Sequence, residues 1–528
     1  MSAGRHDAIV IGSGVEELVA AARLASAGLG VLVLEAGDSV GGPAASGEVL
    51  PGFRIDPVFP DAGFLDPRAL RDLALESHGL ALLAPDPILA APAESGEPLV
   101  LRRDLERTRA SIAKRSARDA DRWVAFAETM EAFAGILEEA SIRPPVEPAG
   151  PLADLAPYLG LGKRVRALGR ARMTELFRVL PLPVQDLLDD TFEDDLLKGA
   201  LAAGAVRGIF QGPRSPGTAF VLLHHHVGNP AGVFGVRTVV RGGTGALVEA
   251  LASAARERGV EIRSRAPVER ILCEKGRATG TALTDGAEIA ARAVLSGAGP
   301  ARTFLEWTGT TWLDPDFVHA VRMIRFRGGS ARVHLALSEA PRFEGLPDTP
   351  PGVIAIAPDP DSVERAYDDA KHGAFSARPV LEARIASIAD PSLAPPGRHV
   401  MSVDVRFVPP GGSTGNGDGS SREAIGDRVI DLLEERAPNL PGAILGREVT
   451  LPSDLETRYG LTGGDPFQGE LGLDQLLFMR PVPGWAGYRT PIAGLYLCGA
   501  GTHPAGAVTG ASGRHAADAM IADRRRNR

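Results

Sequence analysis

The sequence predicts an α/β protein in which one discontinuous domain, built on a parallel sheet, carries an inserted α+β domain. Three segments carry that expectation. Strand, glycine turn, helix and second strand follow one another within residues 8–35. A strand that feeds glycines into a helix recurs at residues 491–523, close to the other end of the chain. Between them, residues 238–300 supply a helix and further short strands. At 528 residues the chain exceeds what one core holds, and roughly two to four domains of about 150 residues each are expected.

The first unit is the most specific. Ala8 to Ile11 is a short continuous apolar run ended by Gly12, the pattern of a buried parallel strand. "ELVAAARLASAG" places apolar residues at helical spacing and stops at Gly28. "GVLVLEA" is a second buried strand that ends on Glu35. Gly12 permits a tight turn, and Gly14 lets the backbone approach a pyrophosphate whose charge rests on helix N-terminal amides. Glu35 lies about 20 residues past the turn, where an acid accepts hydrogen bonds from the adenosine ribose hydroxyls. Its charge repels a 2′-phosphate, so NADP is disfavoured. The unit reads as a Rossmann-like dinucleotide site.

The third glycine of that turn is missing. "GSGVEE" puts Glu17 there, beside Glu16. A carboxylate about 6 Å from a phosphate costs on the order of 1–3 kcal/mol, while a helix N-terminus returns several tenths. Weakened but intact binding is expected.

A second glycine turn, Gly41-Gly42, follows the acid, and "VLPGFRIDPVF" comes after it. Near the other end, Leu495 to Cys498 form a short strand. Gly499 and Gly501 follow it, and "GAVTG" (Gly506 to Gly510) opens a helix, again an anion-binding arrangement. In these segments the chain resembles the FAD-dependent amine oxidase and phytoene desaturase superfamily, and within it the phytoene-dehydrogenase-related branch. The likeness extends to "SPGTAFVLLHHHVG" and "DLETRYGLTGGDPFQGELGLDQLLFMRPVPG", most of the chain. It implies a discontinuous, glutathione-reductase-type FAD domain formed by about 1–75, 236–305 and 485–528. The substrate domain would take about 76–235, which is helical, and 306–484, which holds a mixed sheet.

FAD is then the expected cofactor. Gly12, Ser13, Gly14, Glu35, Ala36, Gly41, Gly42, Val268, Gly499, Ala500, Gly506, Val508 and Thr509 are its candidate contacts. Val268 would meet the adenine. The helix after Gly510 would point its positive end at the pyrimidine edge of the isoalloxazine and stabilise the reduced flavin. His224, His225 and Gln468 are weaker candidates for facing the substrate, and no catalytic residue is singled out. Related sequences carry Asn-Gly where this chain has Glu16-Glu17, an Asn and a His where it has Asp465 and Gln468, and more glycine around Ala505 and Ala507.

The implied activity is hydride transfer between flavin and an organic substrate, of desaturase type and apolar by resemblance. An amine oxidase is the second reading. Such enzymes usually place a Lys near the flavin N5 and an aromatic pair around the amine. Here five lysines and five tyrosines offer no evident placement. A flavin-poor binding or scaffold relative, a consequence of Glu17, is the third.

Composition bounds the partners. The net charge is −9, so nucleic acid is not expected. Cys273 and Cys498 stand far apart, which excludes a disulfide framework, a dithiol redox pair and a cysteine metal site and points to a reducing cytoplasm. No signal layout opens the sequence, and no uninterrupted apolar run is long enough to span a membrane. The expected partner is a small organic molecule. Peripheral membrane contact goes with an apolar substrate, and a homodimer stays open. His224-His225-His226 cannot converge on one metal ion, because consecutive helical residues point about 100° apart. His503 is a candidate supporting residue beside the flavin-side glycines. The glycine-rich stretch 409–421 reads as a surface loop, and 141–151 as a rigid connector.

Overall fold

The computed structural model describes residues 6–146, 156, 158–228, 234–235, 237–346, 351–409, 421–506 and 508–526. Most of the 409–421 stretch, the second half of the 141–151 connector, and Ala507 lie outside the described residues.

A five-stranded parallel sheet forms the first layer, in the order Leu495–Leu497, Val294–Ser296, Ala8–Ile11, Val31–Leu34, Glu261–Arg263. The central strands are buried on both faces, which is why their sequences are continuous apolar runs. One face is covered by helices Val15–Ser26, Thr244–Glu257 and Ala511–Arg526. The first and last of these approach to backbone contact: a Cβ at Gly513 would overlap the carbonyl oxygen of Glu16. The other face packs on the three-stranded sheet within 268–290 and on helix Pro315–Arg322.

The second sheet has seven strands, in the order Ile444–Thr450, Ser330–Leu337, His399–Arg406, Leu381–Arg384, Val353–Ile356, Leu89–Ala91, Leu99–Leu101. All neighbours are antiparallel except Val353–Ile356 with Leu89–Ala91. A helical layer lies against it, including the long helix Ala117–Ser141 and Thr218–His224.

Two segments pack across the sequence boundaries. The hairpin Gly47–Leu50 and Phe53–Ile55 lies on the seven-stranded sheet, with Phe53 and Ile55 against Ala336 and Val400. Helix Pro315–Arg322 packs under the parallel sheet, with Phe317 and Val321 in the cluster that holds Leu497 and Ile492. Each apolar face goes where area is removed from water, which chain position does not dictate. Among the described residues no helix is long and apolar enough to cross a membrane.

Candidate cofactor and substrate site

A cavity of about 680 Å³ opens at the carboxyl ends of the central parallel strands, the usual ligand position in such sheets. Gly12, Ser13, Gly14, Glu35, Ala36, Gly42 and Val268 line it. The Glu35 carboxylate organises the turn. One oxygen accepts the amide of Ser13 at 3.0 Å and its hydroxyl at 2.5 Å, and the other accepts the Gly37 amide at 2.7 Å. The Ser13 hydroxyl in turn accepts the Gly41 amide at 3.0 Å, so the two glycine turns are joined through one side chain. Gly41 itself does not line the cavity. It has φ +118°, and a Cβ there would stand 3.0 Å from Val248 and 3.1 Å from Ala45, so the doublet serves close packing on helix Thr244–Glu257.

Glu17 points into this cavity. A Cβ at Gly14 would lie 2.5 Å from its Oε2, and one at Gly297 would collide with its carboxyl. The side chain therefore fills the gap that a glycine leaves open. Burial pushes its carboxyl up to about 8, and the charges of Glu16 and Glu35 add to that. The amides of Glu17 itself and of Gly14 pull the other way. At neutral pH the group is mostly protonated. The charge repulsion expected from the sequence is thereby replaced by crowding and by competition for the Gly14 amide.

Glu16 does something the sequence did not disclose. Its Oε1 accepts the amides of Thr509 at 2.8 Å and Gly510 at 2.9 Å and the Thr509 hydroxyl at 2.8 Å, while Oε2 accepts the Gly513 amide at 3.2 Å. These amides open the C-terminal helix. The positive helix end assigned by resemblance to the flavin ring is thus engaged by an internal carboxyl group.

The remaining candidates divide. Gln468 lines this first cavity. Its amide donates to the Gly297 carbonyl at 3.2 Å, and its Oε1 finds no partner. Gly499 and Ala500 line neither cavity: Gly499 is pressed on the Gly297 backbone, and the Ala500 carbonyl accepts Arg480 at 2.8 Å. Gly506, Val508 and Thr509 line a second cavity of about 130 Å³ together with His224, His225, Phe64 and Phe467. The two cavities share a wall, since Pro57 and Gln468 face the first while Val58 and Phe467 face the second.

The three histidines are neutral, and two of them are held by hydrogen bonds. His225 Nε2 meets the Arg207 carbonyl at 2.8 Å, and His226 Nδ1 meets that of Leu222 at 2.5 Å. Burial lowers His224 and His226 to about 3 and holds His225 well below its usual range. His503 is buried, its Nε2 3.2 Å from the Ala140 carbonyl, and so braces the long helix against the loop before the C-terminal helix. Among the described residues no cluster of His, Cys, Asp or Glu could hold a metal ion, and both cysteines are free.

Beside the second cavity lies a buried ion-pair cluster that sequence reasoning missed. Asp61 pairs with Arg237 (Nε–Oδ2 2.7 Å) and Arg384 (3.3 Å). Glu382 pairs with Arg207 (3.0 Å) and Arg406 (2.5 Å). Asp404 pairs with Arg406 (3.4 Å) and Arg332 (3.1 Å). The only signal was alternation: "LEAR" and "VDVR" place charges at every second position, which ordinarily marks a solvent face.

A glycine turn followed by an acid, at a cavity of this size beside a second cavity, is the arrangement of a dinucleotide-binding protein. Known relatives narrow the class. The family described as flavin containing amine oxidoreductase matches residues 170–521, and an NAD(P)-binding Rossmann-like domain matches residues 10–65. The chain belongs to the flavin-containing amine oxidoreductase family. It is 36% identical to pyridine nucleotide-disulfide oxidoreductase domain-containing protein 2 of Mus musculus, over 98% of this chain and 94% of that one. It is 27% identical to a limonene dehydrogenase chain of Castellaniella defragrans (98% and 94% covered). It is 25% identical to a lycopene-forming phytoene desaturase of a Paracoccus species (97% and 96%). Among solved structures, an oxidoreductase from Methanosarcina mazei aligns with TM-score 0.59 at 17% identity, covering 98% and 99%. A putrescine oxidase variant aligns with TM-score 0.59 at 16%, covering 99% of each chain. These two share the fold. The residues at the first cavity fit FAD, the family's cofactor: a backbone turn for the pyrophosphate and Glu35 for the ribose, with the Glu17 side chain reaching in beside the turn.

Proposed function

We propose that the protein dehydrogenates a small organic substrate in the 130 Å³ cavity, in the manner of a desaturase. The observation that carries this reading is the position of that cavity, against the wall of the cofactor cavity and lined by the start of the C-terminal helix. FAD held by the Gly12–Gly14 turn and Glu35 would supply the two-electron acceptor for removal of two hydrogens from the substrate. The chain's own part is to bind, orient and keep water out: Phe64, Phe467 and Val58 give apolar walls, and the neutral imidazoles of His224 and His225 present polar edges.

The amine oxidase reading is weaker, because among the described residues no lysine lines either cavity and the aromatic residues at the second are phenylalanines. A long polyene is disfavoured too, since the cavity is smaller than the roughly 300–1,000 Å³ typical of ligand pockets. Purified protein should carry FAD, identified by mass spectrometry after heat release, and candidate substrates should bleach its absorbance without oxygen. Recovery of stoichiometric NADP, or protein that cannot be reconstituted with FAD, would overturn the reading.

A further inference from the structure

The buried cluster does not balance. Five guanidiniums share three carboxylates within 4 Å, which leaves two positive charges in excess among the described residues. Arginine does not shed its proton in proteins, so the surplus cannot be removed by titration. The other charged groups nearby are engaged elsewhere or neutral. Asp56, whose field reaches Arg332, is taken up by hydrogen bonds from Ser46 and Thr244 and, among the described residues, forms no ion pair with the cluster. His224 and His225 are uncharged. Arg480 adds a further buried cation, which donates to four backbone carbonyls and faces only Asp465.

The surplus also has a direction. Arg207, Arg237, Arg332 and Arg406 all line the second cavity, beside the residues that open the C-terminal helix. Arg406 is 2% exposed, and its Nε has no hydrogen-bond partner. Among the described residues, Arg332 has one carboxylate, that of Asp404, within ion-pair distance. An uncompensated buried charge is strongly unfavourable, whereas a bound counter-charge placed against fixed guanidiniums gains both Coulomb energy and bidentate hydrogen bonds. A cationic amine would meet repulsion here, and a hydrocarbon would leave the surplus unanswered.

We infer that the second cavity binds a small organic acid, its carboxylate seated on the Arg332–Arg406 side and its apolar part against Phe64 and Phe467. The inference deepens the proposed function by naming the substrate class. It rests on that reading only for what happens to the bound compound.

Isothermal titration of the FAD-loaded protein with benzoate, benzamide and benzylamine tests it. The three probes share one ring and differ in charge. Benzoate should bind saturably and at least tenfold more tightly than either of the others, and Arg332→Gln should weaken benzoate at least tenfold while leaving benzamide unchanged. The wild-type series alone is decisive if that variant does not fold. Benzamide or benzylamine binding as well as benzoate, or benzoate not binding at all, overturns the inference. Failure of the two readings is distinguishable. Yellow protein indifferent to benzoate retains the flavoenzyme reading and loses this one; colourless protein that still selects benzoate does the reverse.

Discussion

The Glu16 carboxyl group accepts the Thr509 amide at 2.8 Å, joining the first glycine turn to the last helix across 493 positions of sequence. With the Gly510 and Gly513 amides and the Thr509 hydroxyl, this one side chain satisfies donors that helix N-termini otherwise leave without an acceptor. Glu16→Ala should therefore destabilise the protein by about 2–4 kcal/mol, seen as a thermal midpoint lower by several degrees. Glu16→Gln should recover part of the loss, because its carbonyl oxygen still serves Thr509 and Gly510 while its NH2 cannot accept from Gly513. An unchanged midpoint in Glu16→Ala would mean that water replaces the carboxyl at no cost.

Glu17 should make cofactor retention dependent on pH. Its folded-state value of about 8 stands above the ordinary 4.5. For a raised acid, the stability contribution is complete below about pH 4.5 and is lost progressively as pH rises to about 8. Wild type should lose a few kcal/mol over that window relative to Glu17→Gln. Its affinity for FAD should also fall between pH 7 and 9, as a second negative charge develops beside the pyrophosphate. Glu17→Gly removes crowding and competition together and should tighten FAD about ten- to a hundredfold at neutral pH. Equilibrium dialysis of the three proteins at several pH values checks this. A flat wild-type profile would place the carboxyl away from the phosphates.

The parallel sheet was legible because its signals are local. Short apolar runs, Gly12, Gly14 and Glu35 fall within one βαβ unit, and their pattern needs no knowledge of the rest. Gln468 was expected beside His224 and His225 but lines the other cavity, because a loop residue's direction depends on which of two adjacent cavities it faces, and its neighbour Phe467 faces the second. Glu16 was read only as a departure from a motif, since its partners lie at the far end of the chain. The arginine cluster was illegible for a similar reason. Alternating charges on strands Leu381–Arg384 and His399–Arg406 look solvated until helices from a distant segment cover them.

Asp61 holds the parallel-sheet side to that cluster. Burial raises its carboxyl, but Arg237 and Arg384 outweigh this and hold it well below the usual carboxylate range. The sign follows for a depressed acid: the stabilisation is full above about pH 3.8 and is lost as pH falls below that value. Asp61→Asn should cost about 3–5 kcal/mol at neutral pH, because two buried guanidiniums lose their counter-charge. The gap between variant and wild type should narrow in acid. Chemical denaturation at pH 7 and pH 3 measures both, and a gap that stays constant would show that the pair contributes packing alone.

Glu35 tests the cofactor site from the other side. Its oxygens hold the Ser13 amide and hydroxyl and the Gly37 amide, and it lines the cavity where a ribose would sit. Glu35→Ala removes the anchor of the turn together with the acceptor for the ribose hydroxyls. Hydrogen bonds to a charged group contribute about 1.5–3 kcal/mol, so FAD should bind roughly ten- to a hundredfold more weakly. Glu35→Gln keeps an oxygen acceptor for Ser13 but turns one end into a donor facing the Gly37 amide, and should fall between the two. The readout is the FAD dissociation constant from fluorescence quenching, with the thermal midpoint as control. If FAD affinity is lost only in proportion to the midpoint, Glu35 is a brace for the turn. If affinity falls by more than the lowered midpoint accounts for, Glu35 binds the nucleotide directly, and that second outcome is expected, because Ser13 still receives order from Gly41 when the carboxylate is gone.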